Sequence, residues 1–350
     1  MNQKGDMRAA VLRRVGEIEL ADFAVPEPGP DDMLLRMHKA GICGSDLHIY
    51  AGELPGVSHP LIMGHEGVGI VETGGMRVSK ARLGQRVVIE PNFPCLTCQF
   101  CKRGQGNICP NKRIFGVREP GCFAEYAIIP SEFAHVVPSE ITDEDAVLVE
   151  PTAVAYHALK MSSAKPGSAI AIVGMGAIGL LLAHLALALN YQVLVNDQVQ
   201  EKVDMAVSWG AHSANVESKA DFVASVKDIY EQADVRTVFE ATGSGRGTQF
   251  ALESAPRGAE VILAGLAFEP VSIVPFHLTR NGNQVLTSMI YDHPHDFVAV
   301  LALIASGKIH PRRIITLRTN LEDFSATIRH LAKANAGKVI LDFDATHQAA

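Results

Sequence analysis

The sequence lacks several features that mark whole classes of protein. It has no excess of positive charge: 31 Lys and Arg stand against 38 Asp and Glu, a formal net charge of −7. A nucleic-acid binder normally needs the opposite balance, so none is expected as a partner. It has no low-complexity linker and no internal repeat. Its charged fraction of 20% is modest beside 47% hydrophobic residues, which excludes a disordered chain. The segment Met1 to Met7 has no apolar stretch, so no signal peptide is expected, and Met7 is a second candidate start. Six cysteines in 350 residues are too few for a disulfide scaffold.

One uncharged run does stand out. Ala169 to Leu189 is long enough to cross a bilayer, but Gly174, Gly176 and Gly179 interrupt it and His184 lies within it. A buried strand, a glycine turn and a buried helix account for it better, and no membrane partner is expected. The length suits two domains. The first half has short apolar runs, such as Arg86–Ile89 and Tyr126–Ile129, bounded by Gly, Pro and Asn, and reads as β-rich. From about Thr152 strands alternate with helices: strands at 170–173, 193–195, 237–241 and 260–264, and a helix over 203–209 ending at Gly210. That alternation implies a doubly wound parallel sheet. Helices are expected around 297–306 and 321–334, then a strand over 338–341.

Four of the six cysteines form Cys95-x2-Cys98-x2-Cys101-x7-Cys109. Four thiolates close a tetrahedral site, which is how structural zinc is held. An iron–sulfur cluster and a nucleic-acid-reading zinc ribbon are the competitors. Elsewhere Cys43 and His65 offer sulfur and nitrogen, and Glu66 or Glu150 offers oxygen. Three protein ligands with one open position make a catalytic zinc site. Gly174-Met175-Gly176-Ala177-Ile178-Gly179 lies between an expected strand and an expected helix, the context a dinucleotide site requires. Asp197 follows eighteen residues beyond Gly179, where a carboxylate can take both ribose hydroxyls and repel a 2′-phosphate. No arginine follows in 198–201 to receive such a phosphate, which favours NAD over NADP.

Together these motifs resemble the zinc-dependent medium-chain dehydrogenases, in particular their sorbitol, butanediol and threonine dehydrogenase branch. Gly64-His65-Glu66-x2-Gly69-x5-Gly75-x2-Val78 fits the family's zinc signature, and the cysteine lobe has its spacing. The resemblance runs from about Met7 to Asp344. It implies an α/β protein: a GroES-like β-rich catalytic domain over 1–151 and 292–350, carrying a zinc lobe over about 92–112, and a Rossmann NAD-binding domain over 152–291.

The resemblance also implies roles. Cys43 and His65 would bind a catalytic zinc; either Glu66 ligates directly with Glu150 acting through water, or the two exchange. Asp46 would hold the far nitrogen of His65, with Lys338 as a basic residue near that aspartate. Ser45 and His48 would relay the substrate proton. Lys202 would lie near the adenosine ribose, and Thr242, Gly265 and Leu266 would line the nicotinamide side. Two zincs and one NAD per chain are implied, with a small alcohol as substrate. The implied reaction is hydride transfer from a secondary alcohol (a polyol, sugar alcohol or vicinal diol) to NAD, giving the ketone. The alternatives are an L-threonine 3-dehydrogenase-like activity or a sugar-acid or cyclitol dehydrogenase. A cytoplasmic homodimer or homotetramer is the corresponding expectation. Cys122 reads as a small buried residue.

Overall fold

The computed structural model describes residues 5–216, 220–332 and 337–343. The chain divides into two units: Met1–Glu150 with Asp292–Ala350, and Pro151–Tyr291. The division falls within the helix Val149–Met161.

The first unit is built on a strand of eleven residues, Asp32–Ile42. It pairs antiparallel with Glu66–Gly74, Tyr126–Pro130 and Lys338–Asp342. The sheet extends through Arg86–Ile89 to Ala134–Val136 on one side and through Ile315–Thr319 on the other. A smaller sheet holds Glu17–Ala24, Asp6–Arg14 and Leu61–Ile62 in that order. Tyr126–Pro130 alternates buried and half-buried residues, as a strand with one face on a core should. Met33, Leu35, Met37, Ile89, Phe123 and Phe324 belong to that core.

Register positions the site. Gly41 stands opposite Glu66 on one neighbouring strand, and Ile42 stands opposite Val339 on the other. Glu66 and Lys338 therefore reach the end of Asp32–Ile42 from both sides, just before Cys43. A Cβ on Gly41 would come within 1.9 Å of Glu66 Oε2, so only glycine leaves room for that carboxylate.

The second unit is a six-stranded, fully parallel sheet. Its spatial order is His212–Ser213, Gln192–Asn196, Ala169–Val173, Thr237–Glu240, Glu260–Leu263, Gln284–Thr287. Counted along the unit this is 3-2-1-4-5-6, the doubly wound dinucleotide-binding order. Ala169–Val173 is buried at every residue, because helices cover both faces of such a sheet. Burial of each of its larger side chains, Ile170, Ile172 and Val173, stabilises by about 1.5–3 kcal/mol.

The uncharged run resolves into this strand and the twelve-residue helix Ala177–Ala188. At about 1.5 Å per residue that helix spans about 18 Å, well short of the roughly 30 Å hydrocarbon layer. Among the described residues no helix is long and apolar enough to cross a membrane. Element ends shift by one to three residues from expectation. The helix expected over 203–209 runs Gln200–Val207, and that expected over 321–334 is Phe324–Leu331, with Ala334 outside the described residues.

Candidate active site

In the first unit the chain turns from strand to helix at Cys43, which caps the helix Gly44–Ala51. The turn is locked from both ends. Cys43 N donates to Asp46 Oδ2 at 2.9 Å, and Asp46 N donates to Cys43 O at 3.1 Å. Asp46 is fully buried, and its other oxygen lies 3.5 Å from His65 Nδ1. Neither of these two atoms has a hydrogen-bond partner among the described residues, and the ring's Nε2 faces Ser45 Oγ at 3.4 Å. Burial alone would lower the His65 pKa, but the Asp46 carboxylate and Cys43 outweigh it and raise the value well above normal. A cation on this ring would displace the proton instead, since imidazole coordinates in its neutral form.

The donor atoms of Cys43, His65 and Glu66 lie within 4.8 Å of one another. Glu66 is completely buried, and its Oε1 has no hydrogen-bond partner among the described residues. A buried acceptor left open is costly unless a cation or donor meets it. One thiol, one imidazole and one carboxylate oxygen with a position to spare is the donor set of an open zinc site. Glu150 stands outside this three-residue set, buried at the start of the helix Val149–Met161. Burial pushes its carboxyl up to about 7, opposed by the charge of His65 and assisted by that of Glu66.

Lys338, expected near Asp46, forms an ion pair with Glu66 and donates to Ile42 O at 3.0 Å. The sheet register explains this, because Lys338 and Glu66 flank the same strand end. Lys338 and Glu66 are both almost wholly inaccessible, so each is the other's main charge compensation. His48 lies on the same helix as Ser45, one turn further on, with its Nδ1 2.6 Å from Glu53 Oε2.

The four cysteines meet in a loop containing the short helix Gln99–Lys102. Their sulfurs stand 3.5 Å (Cys98–Cys101), 3.6 Å (Cys95–Cys109), 3.9 Å (Cys98–Cys109) and 4.0 Å (Cys95–Cys101) apart. A tetrahedron with arms of about 2.3 Å has edges of about 3.8 Å. The four thiols therefore fit one zinc; a multi-iron cluster would hold them further apart, and a disulfide would bring two to about 2 Å. Thr97 donates to Cys95 and draws its pKa down to about 5. Cys122 is fully buried and donates to Glu66 O at 3.5 Å, and burial pushes its thiol up.

In the second unit the three glycines of the turn do three different jobs. Gly174 has φ +95°, and a Cβ there would strike Thr242. A Cβ on Gly179 would lie 1.8 Å from Gly174 O, so its absence lets helix and strand pack. A Cβ on Gly176 would meet nothing within 4 Å. That open side caps the helix Ala177–Ala188, whose first N–H groups, from Ala177 and Ile178, make the partial positive end that suits phosphate. The residues present thus fit a dinucleotide pyrophosphate.

Asp197 follows the strand Gln192–Asn196. Its carboxylate accepts from Met175 N at 2.5 Å and Val199 N at 2.8 Å, which fixes it beside the glycine turn. Lys202 is in the helix Gln200–Val207; burial lowers its pKa and Asp197 counteracts this. Thr242 donates from its N–H and hydroxyl to Glu240 Oε1, at 2.7 and 2.5 Å. Gly265 N donates to Glu240 O, and Leu266 is exposed. Sequence reading missed the buried Glu240, which ties the 242 and 265 turns together; a single Glu at a strand end carries no spacing signal.

Comparison with known proteins agrees with this geometry. Residues 29–139 match the family described as alcohol dehydrogenase GroES-like domain, and residues 177–306 match zinc-binding dehydrogenase. Sorbitol dehydrogenase of Bacillus subtilis is 31% identical over 326 residues, covering 91% of each chain. L-threonine 3-dehydrogenase of Anaeromyxobacter sp. is 30% identical, covering 93% of this chain and 94% of that one. The structure of a zinc-binding dehydrogenase from Sinorhizobium meliloti bound to NADP superposes with a TM-score of 0.87 at 32% identity, over 97% of this chain and 99% of that one. The fold is accordingly a GroES-like unit with a Rossmann unit.

Proposed function

The chain belongs to the zinc-dependent medium-chain dehydrogenases, and on that premise we propose that it oxidises a secondary alcohol of the polyol, sugar-alcohol or vicinal-diol class to the ketone, with NAD as hydride acceptor. The observation that carries this reading is the convergence of the Cys43, His65 and Glu66 donors within 4.8 Å, beside Ser45 Oγ. When bound, zinc supplies the Lewis acidity that eases deprotonation of a hydroxyl, and NAD supplies the two-electron acceptor.

The chain's own residues do the rest. Cys43, His65 and Glu66 hold the metal, with Glu150 as the carboxylate that exchanges with Glu66 or acts through water. Asp46 fixes the ring of His65 through Nδ1. Lys338 anchors Glu66. Ser45 Oγ receives the proton from the substrate hydroxyl, and His48 delivers it towards solvent. Cys95, Cys98, Cys101 and Cys109 hold the second, structural zinc. The buried, largely closed surroundings of Asp46, Glu66 and Lys338 strengthen every charge interaction within the site.

NAD is preferred to NADP because the fixed Asp197 carboxylate repels a 2′-phosphate. Gly174, Gly176, Gly179 and the N–H groups of Ala177 and Ile178 cradle the pyrophosphate; Lys202 serves the adenosine ribose, and Thr242, Gly265 and Leu266 serve the nicotinamide side. The domain arrangement is that of 1–151 with 292–350 for catalysis and 152–291 for the nucleotide. An L-threonine 3-dehydrogenase-like activity is the second reading, favoured by the likeness to the Anaeromyxobacter enzyme.

The protein works in the cytoplasm as a homodimer or homotetramer. The second unit supports self-association: the edge strand Gln284–Thr287 exposes Val285, and Leu266, Phe268, Ile273, Val274 and Phe276 are exposed too. Cys43→Ala tests the central assignment. It should abolish turnover and lower zinc content from two per chain to one while leaving NAD affinity intact; normal turnover in that variant would sink the proposal.

A further inference from the structure

A cluster in the first unit, distinct from both zinc sites, joins Glu90, His135 and His293. Glu90 follows the strand Arg86–Ile89, His135 lies in the strand Ala134–Val136 that pairs with it, and His293 precedes the helix His295–Ala305. His135 Nε2 is 2.6 Å and His293 Nδ1 is 2.8 Å from the same oxygen, Glu90 Oε2. The three donor atoms lie within 4.8 Å of one another. Glu90 is completely buried, and its second oxygen, Oε1, has no hydrogen-bond partner among the described residues. The ion pairs seen for this carboxylate are with the two imidazoles, each chargeable only by taking a proton. Glu132 adds a further negative charge acting on His293.

The imidazoles are held in place by packing. The His293 ring lies 4.7 Å from the Phe133 ring, and the His135 ring stacks on Phe297 at 4.9 Å. Their side chains keep 10% and 17% of their surface open, for His135 and His293 respectively, while Glu90 is closed off from solvent. Rings fixed in position around a buried carboxylate are the preorganised shell that metal binding needs.

We propose that Glu90, His135 and His293 form a third metal site, for a first-row divalent cation, with water completing the shell. Two imidazoles and one carboxylate on one face of the ion are the donor set of such sites. The ion takes the ring nitrogens that face Oε2 in their bare form, so each neutral ring then carries its proton on its other nitrogen, and only a ring charged beforehand releases a proton to solvent. The ion would clip the returning segment at His293 to two strands that lie far from it in sequence, and the site stands independently of the dehydrogenase reading.

Equilibration of the zinc-replete protein with Ni²⁺, followed by gel filtration and elemental analysis, tests this. The wild type should hold three metal ions per chain, while Glu90→Gln, His135→Gln and His293→Gln should each hold two. A wild-type count of two, or a count of three in folded variants, overturns the site. Wild-type protein also carries a test free of mutation. X-ray absorption at the nickel edge should show imidazole nitrogen and oxygen ligands, and sulfur ligation would overturn the assignment.

Discussion

At the scale of single residues, the glycine turn separates folding from binding. Gly179→Ala drives a Cβ into Gly174 O and should destabilise the fold by about 1–3 kcal/mol, read as a lower denaturation midpoint. Gly176→Ala adds a methyl group to open space. It should leave that midpoint almost unchanged yet weaken NAD binding about tenfold or more, because the methyl occupies the side that a pyrophosphate must approach. Equal effects of both variants on stability would contradict the roles assigned to them. A second residue-scale prediction concerns Asp143. It accepts from His38 Nδ1 at 2.8 Å and from Arg86 Nη1 at 2.9 Å. Burial would raise its pKa, but His38 and Arg86 together hold it below normal. A depressed folded-state pKa gives stability that is present above the unfolded value of about 3.9 and is lost as pH falls through the folded value. Asp143→Asn should therefore be less stable than wild type at pH 7, and the difference should vanish in strong acid. A stability gap that stays constant with pH would assign the loss to packing instead.

At the scale of elements, the cysteine loop depends on its metal. Among the described residues its regular structure amounts to the helix Gln99–Lys102 and the turn Gly106–Ile108, too little to stand on hydrogen bonds alone. Cys98→Ser should lose one zinc of two and open the loop to protease, with the strand order of the main sheet intact. Retention of both zincs and of protease resistance would contradict a structural role. The same loop shows what is legible at this scale. Its ligands lie within fifteen residues, so spacing alone displays them. The glycine turn is also local, and the strand and helix flanking it can be read from apolar runs. Lys338 is different. Its contact with Glu66 spans most of the chain and arises from sheet register, which sequence position does not display. Glu90 and His293 are likewise 203 residues apart, and no spacing rule joins them to each other or to His135. Element ends moved because capping, at Cys43 and Gly176 for example, is decided by local backbone geometry that composition does not display.

At the scale of the whole molecule, two independently recognisable units share one chain. The second announces itself through alternating strands and helices, and its 3-2-1-4-5-6 order follows from right-handed crossovers once those strands are recognised. The first, with short strands and a long-range return of residues 292–343, was readable as β-rich but not as a topology, since antiparallel partners distant in sequence leave no periodic trace. The proposed function requires both an open metal site, whose residues lie in one unit, and a nucleotide site, whose residues lie in the other. The measurement that tests it most directly is reduction of NAD and of NADP by zinc-replete protein across sugar alcohols, vicinal diols, threonine and simple alcohols, repeated after chelation and after zinc is restored. The account predicts turnover with a polyol or diol, faster with NAD than with NADP, lost with the metal at Cys43 and His65 and regained with it. Turnover that survives removal of that zinc, or silence with every secondary alcohol from protein that still binds NAD and two zincs, would contradict it.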